Sequence, residues 1–573
     1  GEIASQELER ARAEVEFLRR SLEKAAAEAE EARAEEKGLE ARLAGALQEC
    51  GAQQERCRRA EREQGQAQAE CQELLRDASG RAERAGVAQT LLEGRVQAVQ
   101  EQLGAAAEEA EEAGGERALQ LLRAPDVAAL GRLGVLSLSG ADLASLPEAI
   151  GHCSQVWRLD IGRTAIQTLP DAIASLPRLK ILFAANGQFS EIPAVLARCP
   201  ALRMVGFGNN RLTALNGAHL PTELQWLIAA GNQIASLPNI HLLQHVRKLM
   251  LSHNLLTCEA LAPAAAIADL EMLRVAANRL EAFPDALLRH PRLSWVAVGG
   301  NPFAEAATEK ALATAPPAVD YSEVSLGDKL GSGAGANVYS ATWRGREVAV
   351  KEWHGDKFSD GTARGEWAAN KVAGHPGHPS IVGVLGTFEV PRPGMVLEKI
   401  EGATGAAGAP PFQPFMITRD LLPAHGGKGP SFTAGAALAI ARTVASACAY
   451  LHSRGVYHGD VYLHNTLVVP DGPLESSGVR DVRLSDFGAA TVVDEPGFFK
   501  IEARSFGWLL QDLLDILSST GPAAADGGGR DADVESLLQR VRRRCAAETL
   551  DGLPTFAELA SELAAEVVPV PSL

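Results

Sequence analysis

The chain has 573 residues, room for three or four domains at about 100–200 residues each. Hydrophobic residues make up 46% and charged residues 22%, which excludes a collagenous or wholly disordered chain. The formal charge of −17 excludes bulk attraction to nucleic acid or anionic lipid, and no run of 18 apolar residues offers a membrane span. The most apolar long stretch, 434–451, is broken by Arg442. Eight cysteines without paired spacing point to a reduced, cytoplasmic setting.

Residues 1–120 hold 17 Lys/Arg against 27 Asp/Glu, have no proline, and contain one aromatic residue, Phe17. One heptad register runs through the block, with Leu8, Val15, Leu22, Leu43, Leu92 and Val99 in one column together with alanines, Cys50, Cys57, Cys71, Glu36 and Gln64, an alanine-rich seam of weak pairing. A seven-residue apolar repeat of this length predicts a coiled coil over 1–115 and, through it, a homodimer. A single charged helix held by i,i+4 Glu/Arg pairs is the alternative.

From Leu133 the frame L-x-x-L-x-L-x-x-N-x-L recurs at Val156, Leu179, Leu202, Leu224, Val246, Leu270 and Leu293. Clean copies read LRMVGFGNNRL, LQWLIAAGNQI and LEMLRVAANRL. The frame predicts a short strand and a turn per unit, with Asn210, Asn232, Asn254, Asn278 and Asn301 satisfying backbone groups in the turn. These units resemble leucine-rich repeats, which implies a solenoid over 125–315 with one continuous core. Cys153 and Cys199, three residues before a repeat start, are expected in that core. Residues between the buried leucines are expected on the concave face. Ile181, Phe183, Met204, Trp226, Ile228, Met250, Met272 and Trp295 form an apolar stripe there, beside a floor of small residues. Such a stripe predicts a groove for a protein or peptide partner, which could also be another part of this chain.

The third block carries the chemistry. LGSGAGANVYSATWRGREVAVKEW (330–353) reads as strand, glycine turn, strand, and a third strand bearing Lys351. HGDVYLHN follows at 458–465 and SDFG at 485–488. A glycine turn alone is a weak signal, but these landmarks in this order resemble the protein kinase superfamily, most closely its tyrosine-kinase-like group. The resemblance implies a two-lobed α+β fold over 322–567 and a multidomain chain of coiled coil, α/β solenoid and kinase domain.

It also implies roles. Leu330, Gly331, Gly333, Val338 and Ala349 would enclose the nucleotide, with Leu397, Glu398 and Ile400 at the hinge. Lys351 would hold phosphates and pair with Glu366. Asp460 would orient the acceptor hydroxyl, and Asn465 and Asp486 would bind Mg²⁺ beside ATP. The pattern departs from ordinary kinases at Ala336, at Gly459 where arginine is usual, and at Tyr462 where a lysine offsets charge. The span from DFG to EARSFG (502–507) is short, Glu502 stands where aspartate is usual, and 401–430 and 522–530 read as loops. The expected function is ATP-dependent phosphorylation of protein serine or threonine, with the repeats selecting a partner. The alternatives are a pseudokinase scaffold that binds nucleotide and partners without efficient phosphotransfer, and a binding protein whose kinase lobe blocks the groove.

Overall fold

The computed structural model describes residues 119–123, 125–313, 319–332, 335–355, 357–358, 360–374, 377–406, 432–471, 478–519 and 528–565. Contacts divide the chain into two units, Gly1–Leu121 and Leu122–Leu573, the second of which holds both the repeats and the third block. The coiled coil expected over 1–115 lies outside the described residues.

Eight three-residue strands fall inside the eight frames: β1 (Val135–Ser137), β2 (Arg158–Asp160), β3 (Ile181–Phe183), β4 (Met204–Gly206), β5 (Trp226–Ile228), β6 (Lys248–Met250), β7 (Met272–Arg274) and β8 (Trp295–Ala297). They form one parallel sheet in sequence order, with equivalent positions paired, as Ile181 with Met204 and Met272 with Trp295. The middle residue of each strand, from Leu136 to Val296, is apolar and buried. Each strand is followed by a turn residue with left-handed φ at the same frame position: Gly140, Arg163, Asn186, Asn209, Gly231, His253, Ala277 and Gly300.

The asparagine beside that turn explains its recurrence. Asn232 Oδ1 accepts from the N–H groups of Asn210 and Leu212, while Nδ2 donates to the carbonyls of Phe207 and Ala229 at 2.9 and 3.0 Å. One buried side chain thus satisfies backbone groups of adjacent units, which would otherwise be left costly and unpaired. Asn254, Asn278 and Asn301 repeat the pattern. Cys153 and Cys199 are fully buried, and burial pushes both thiols up to about 11, so neither is a ready nucleophile. Helix α1 (Pro302–Leu312) ends the stack, with proline in its first turn where no N–H is needed.

A second, five-stranded antiparallel sheet follows, built from β9 (Val324–Ser332), β10 (Ala336–Trp343) and β11 (Arg346–Trp353). After β12 (Lys357–Phe358) and β13 (Gly361–Thr362), β14 (Val384–Phe388) and β15 (Gly394–Glu398) complete it in the order β14-β15-β11-β10-β9. Helix α2 (Ala363–Ala373) begins at Thr362, whose hydroxyl caps the N–H of Gly365.

The larger lobe is built on α3 (Ala434–Ser453), α4 (Pro496–Ser519), α5 (Gly528–Cys545) and α6 (Phe556–Ala565). Helix α3 is long and apolar enough to cross a membrane, yet Ile440, Val444, Cys448 and Leu451 are buried against Phe506, Leu510, Leu513 and Phe556. The short strands β16 (Thr404–Gly405), β17 (Val456–Tyr457), β18 (Thr466–Pro470), β19 (Val479–Leu484) and β20 (Thr491–Val492) form two small sheets, β16-β18-β19 and β17-β20.

Several expectations change. Thr404 and Gly405 pair with Val468 and Leu467, so the loop expected from 401 starts with a strand. Helix α5 begins at Gly528, inside the expected second loop, and α4 begins at Pro496, six residues before EARSFG. Tertiary packing overrides glycine-rich local sequence here.

The apolar stripe is covered at one end, where Met272 and Trp295 are buried. Ile181 and Met204 are buried, and Phe183, Trp226, Ile228 and Met250 are half-buried. Arg158 lies over the Phe183 ring and Lys248 over the Trp226 ring, and Trp226 Nε1 meets Met250 Sδ at 3.3 Å. Met272 and Trp295 are buried with Tyr462 of the catalytic loop, and Met250 and Trp508 pack on them. The frame identifies the direction in which a side chain leaves its own unit, and residues of the third block cover that face at its Met272–Trp295 end.

Candidate active site

Lys351 reaches the cleft because β11 pairs it with Val338 on one side and Met395 on the other. Its ammonium lies 2.5 Å from Glu366 Oε1, in the first turn of α2, and 3.3 Å from Asp486 Oδ1. Trp353 Nε1 donates to the other Glu366 oxygen at 2.8 Å, so both oxygens of this buried carboxylate are satisfied. Burial disfavours the Lys351 charge, but Glu366 and Asp486 outweigh it and push the ammonium pKa up. The Lys351 ammonium in turn holds Asp486 below the usual carboxylate range.

Around this centre, Ala349 pairs with Leu397 and Val348 with Glu398, placing the expected hinge at the end of β15. Val338 and Ile400 are half-buried, and Leu330 is exposed. Gly331 sits opposite Val338, and a Cβ added there would meet nothing within 4 Å, which leaves open room above the cleft. Gly333 lies outside the described residues.

The catalytic loop is held from below. Buried Glu502 of α4 accepts from Gly459 N at 2.6 Å and His458 N at 3.4 Å, and also meets His452 Nε2 at 2.6 Å. Asp460 N donates to His458 Nδ1, and Asn465 Nδ2 donates to Asp460 O and Oδ2 at 2.9 and 3.0 Å. Ser485, the neighbour of Asp486, donates its N–H and hydroxyl to Asn465 O at 2.8 and 2.9 Å, which ties the Asp460–Asn465 loop to the segment that carries Asp486. Asp486 adopts a left-handed φ of 56° and leaves its carboxylate 55% exposed.

Sequence reasoning missed the other neighbour of Asp460. Arg274, the last residue of β7, places Nη2 2.5 Å from Asp460 Oδ1 and Nε 3.2 Å from Asp360 Oδ1. Trp295 stacks on Tyr462 with its Nε1 donating to Val461 O, and Tyr457 hydroxyl accepts from Val296 N. Arg504 donates to the carbonyls of His290 and Leu293, and Phe498 packs between Phe283 and Phe303. Burial lowers the Arg504 pKa to about 10. Arg274 is visible in the sequence as the basic residue of its outward column, but nothing local ties it to Asp460.

The Protein kinase domain family model matches residues 324–514. Over 201 residues the chain is 26% identical to mitogen-activated protein kinase kinase kinase 7 of Drosophila melanogaster, covering 34% of this chain and 26% of that one. Over 178 residues it is 30% identical to a probable serine/threonine-protein kinase of Corynebacterium efficiens, covering 30% and 23%. Over 172 residues it is 28% identical to serine/threonine-protein kinase mos of Xenopus laevis, covering 30% and 43%. The chain spans less than half the length of each of these relatives. Residues 324–514 thus form a protein kinase domain similar to serine/threonine kinases.

Such a domain uses ATP and Mg²⁺, and the residues present fit both. Asp486 offers an exposed carboxylate, and Asn465, whose Nδ2 is engaged by Asp460, has its amide oxygen for a cation. No cluster of three His, Cys, Asp or Glu side chains converges among the described residues. Mg²⁺ needs none, because it takes one or two carboxylates and completes its shell with phosphate and water oxygens.

Proposed function

We propose that the chain is an ATP-dependent protein kinase of the serine/threonine type, working in the cytoplasm, with its eight repeats being leucine-rich repeats. The observation that carries this reading is the Lys351 ammonium bridged to Glu366 and Asp486, with the Asp460–Asn465 pair tied to the Asp486 segment through Ser485. Lys351 would orient the phosphates, Asp486 and Asn465 would hold Mg²⁺, and Asp460 would align the acceptor hydroxyl. The hydroxyl oxygen bonds to the γ-phosphorus, the bond to the β–γ bridging oxygen breaks, ADP leaves with that electron pair, and the hydroxyl proton passes to Asp460. The departures at Gly459 and Tyr462 each fit a specific contact with the repeats, which gives them a structural reason. A protein or peptide partner on the concave face would meet the strands before Met272, and a homodimer would form through residues 1–115. The test is transfer of radiolabelled γ-phosphate by the full chain in Mg²⁺. Wild type transfers, and Asp486→Ala loses about 100-fold or more. A wild type without transfer refutes the kinase reading.

A further inference from the structure

The catalytic loop lacks a cation of its own at Tyr462, yet its aspartate is not without one. Arg274 arrives from a strand 186 residues earlier in the sequence and lies within hydrogen-bond distance of Asp460 Oδ1. Its side chain is 4% exposed, so the guanidinium charge is held out of solvent beside the aspartate. Asp360, on the approach to α2, lies against its Nε and sets its position from the other side.

Two readings of this contact are physically distinct: a latch that blocks Asp460, or a working part of the site. The surroundings favour the second. The Lys351–Glu366 and Lys351–Asp486 pairs are formed in the same structure, so the nucleotide side is assembled while Arg274 is in place. Asp460 keeps 16% of its side chain exposed and its Oδ2 on Asn465, so an acceptor can still approach. The junction is also built as a core. Trp295, Tyr457 and Phe498 are at most 1% exposed, and Arg504 bonds the repeat carbonyls from inside. Releasing a latch of this construction would expose several large apolar side chains at once.

We infer that Arg274 is a positioning residue of the phosphotransfer centre, which fixes the Asp460 carboxylate and brings to it the positive charge that Tyr462 does not provide. The inference rests on the kinase reading above. As the γ-phosphoryl group moves from the β–γ bridging oxygen to an acceptor oxygen, negative charge builds between Asp486 and Asp460. A preorganised cation on the Asp460 side lowers the energy of that state, as an arginine supplied from elsewhere in a chain does in other phosphoryl-transfer sites. The repeats are then part of the active site, and the cleft is incomplete without them.

The experiment uses the full chain and Mg-ATP, following phosphate release and self-phosphorylation, with nucleotide affinity and melting temperature measured on the same samples. Arg274→Met is expected to lower kcat about 100-fold while the ATP Kd changes less than about twofold, since Lys351 and Asp486 are untouched. Arg274→Lys, which keeps the charge, should recover at least about tenfold of the lost turnover, a rescue that packing alone would not give. If Arg274→Met does not fold, Arg274→Lys is compared with the neutral Arg274→Gln, and equal turnover of the two overturns the inference. Turnover of Arg274→Met equal to or above wild type overturns it as well and identifies the contact as a latch. A wild type with no turnover overturns both this inference and the kinase reading, whereas an active wild type with an unimpaired Arg274→Met overturns this inference alone.

Discussion

The indole of Trp295 lies flat on the phenol of Tyr462, with centroids 4.8 Å apart and planes 3° from parallel. Trp295 belongs to the last repeat strand and Tyr462 to the loop that carries Asp460. Both are almost fully buried, so the repeats and the kinase lobe share a core at the active site. This gives a structural reason for an aromatic residue where the usual kinase pattern has lysine. A lysine there would lose the stack and bury its ammonium beside Arg274.

Trp295→Ala is therefore expected to cost about 3–5 kcal/mol, the usual loss for emptying a large aromatic site in a core. Trp157→Ala, at a position 37% exposed, should stay within about 0.5 kcal/mol of wild type. Chemical denaturation of the full chain distinguishes the two. Equal effects would mean that the concave face at Trp295 is not a core contact. Tyr462→Lys should likewise lower the melting temperature rather than raise turnover.

Gly459 has a φ of 77°, and a Cβ there would lie 2.9 Å from Ala489 O and 3.0 Å from Val296 O of the repeats. The first feature costs about 1–2 kcal/mol for a residue with a side chain. The second forces the lobe away from β8. Gly459→Ala should lower both stability and any phosphotransfer, and Gly459→Arg, which restores the residue of the usual kinase pattern, should do so more strongly. A Gly459→Arg chain with wild-type melting and turnover would contradict this packing.

His290 sits at the same junction. Its Nε2 donates to Ile267 O at 2.9 Å, and Nδ1 accepts from the N–H groups of Arg292 and Leu293. Both ring nitrogens are used by the neutral form. Burial first, then the charges of Arg504 and Arg292, hold its pKa below the usual histidine value. The unfolded chain thus takes up this proton at higher pH than the folded one. Its contribution to stability is complete above the ordinary histidine range near pH 6.5 and is lost as pH falls toward the depressed folded value. Denaturation at pH 7.5 and 5.5 should show a smaller acid-induced loss in His290→Gln than in wild type. An identical loss would remove His290 from the acid response.

The sequence by itself determined the local units. The 22–24-residue period of the frame placed all eight short strands, because a strand and turn that must stack on copies of themselves repeat their buried positions at fixed spacing. The asparagine column declared its role in the same way, since the backbone groups it satisfies lie in its own and adjacent units. The resemblance to kinase landmarks pointed to Lys351, Glu366 and Asp486 as partners, and their side chains meet.

What only the tertiary structure decided was how the two blocks meet. The outward columns of the frame could be read, but not what covers them, so Met272 and Trp295 were expected on a groove and lie in a core. Gly459 read as a departure, and its reason is the Val296 carbonyl, 163 residues away. Arg274 read as one basic residue in a column, and its partner is Asp460. Contacts within a repeat leave a period in the sequence. A single contact between distant segments leaves none, because any residue with the right charge or shape at that one point satisfies it, and the point exists only once both blocks are folded.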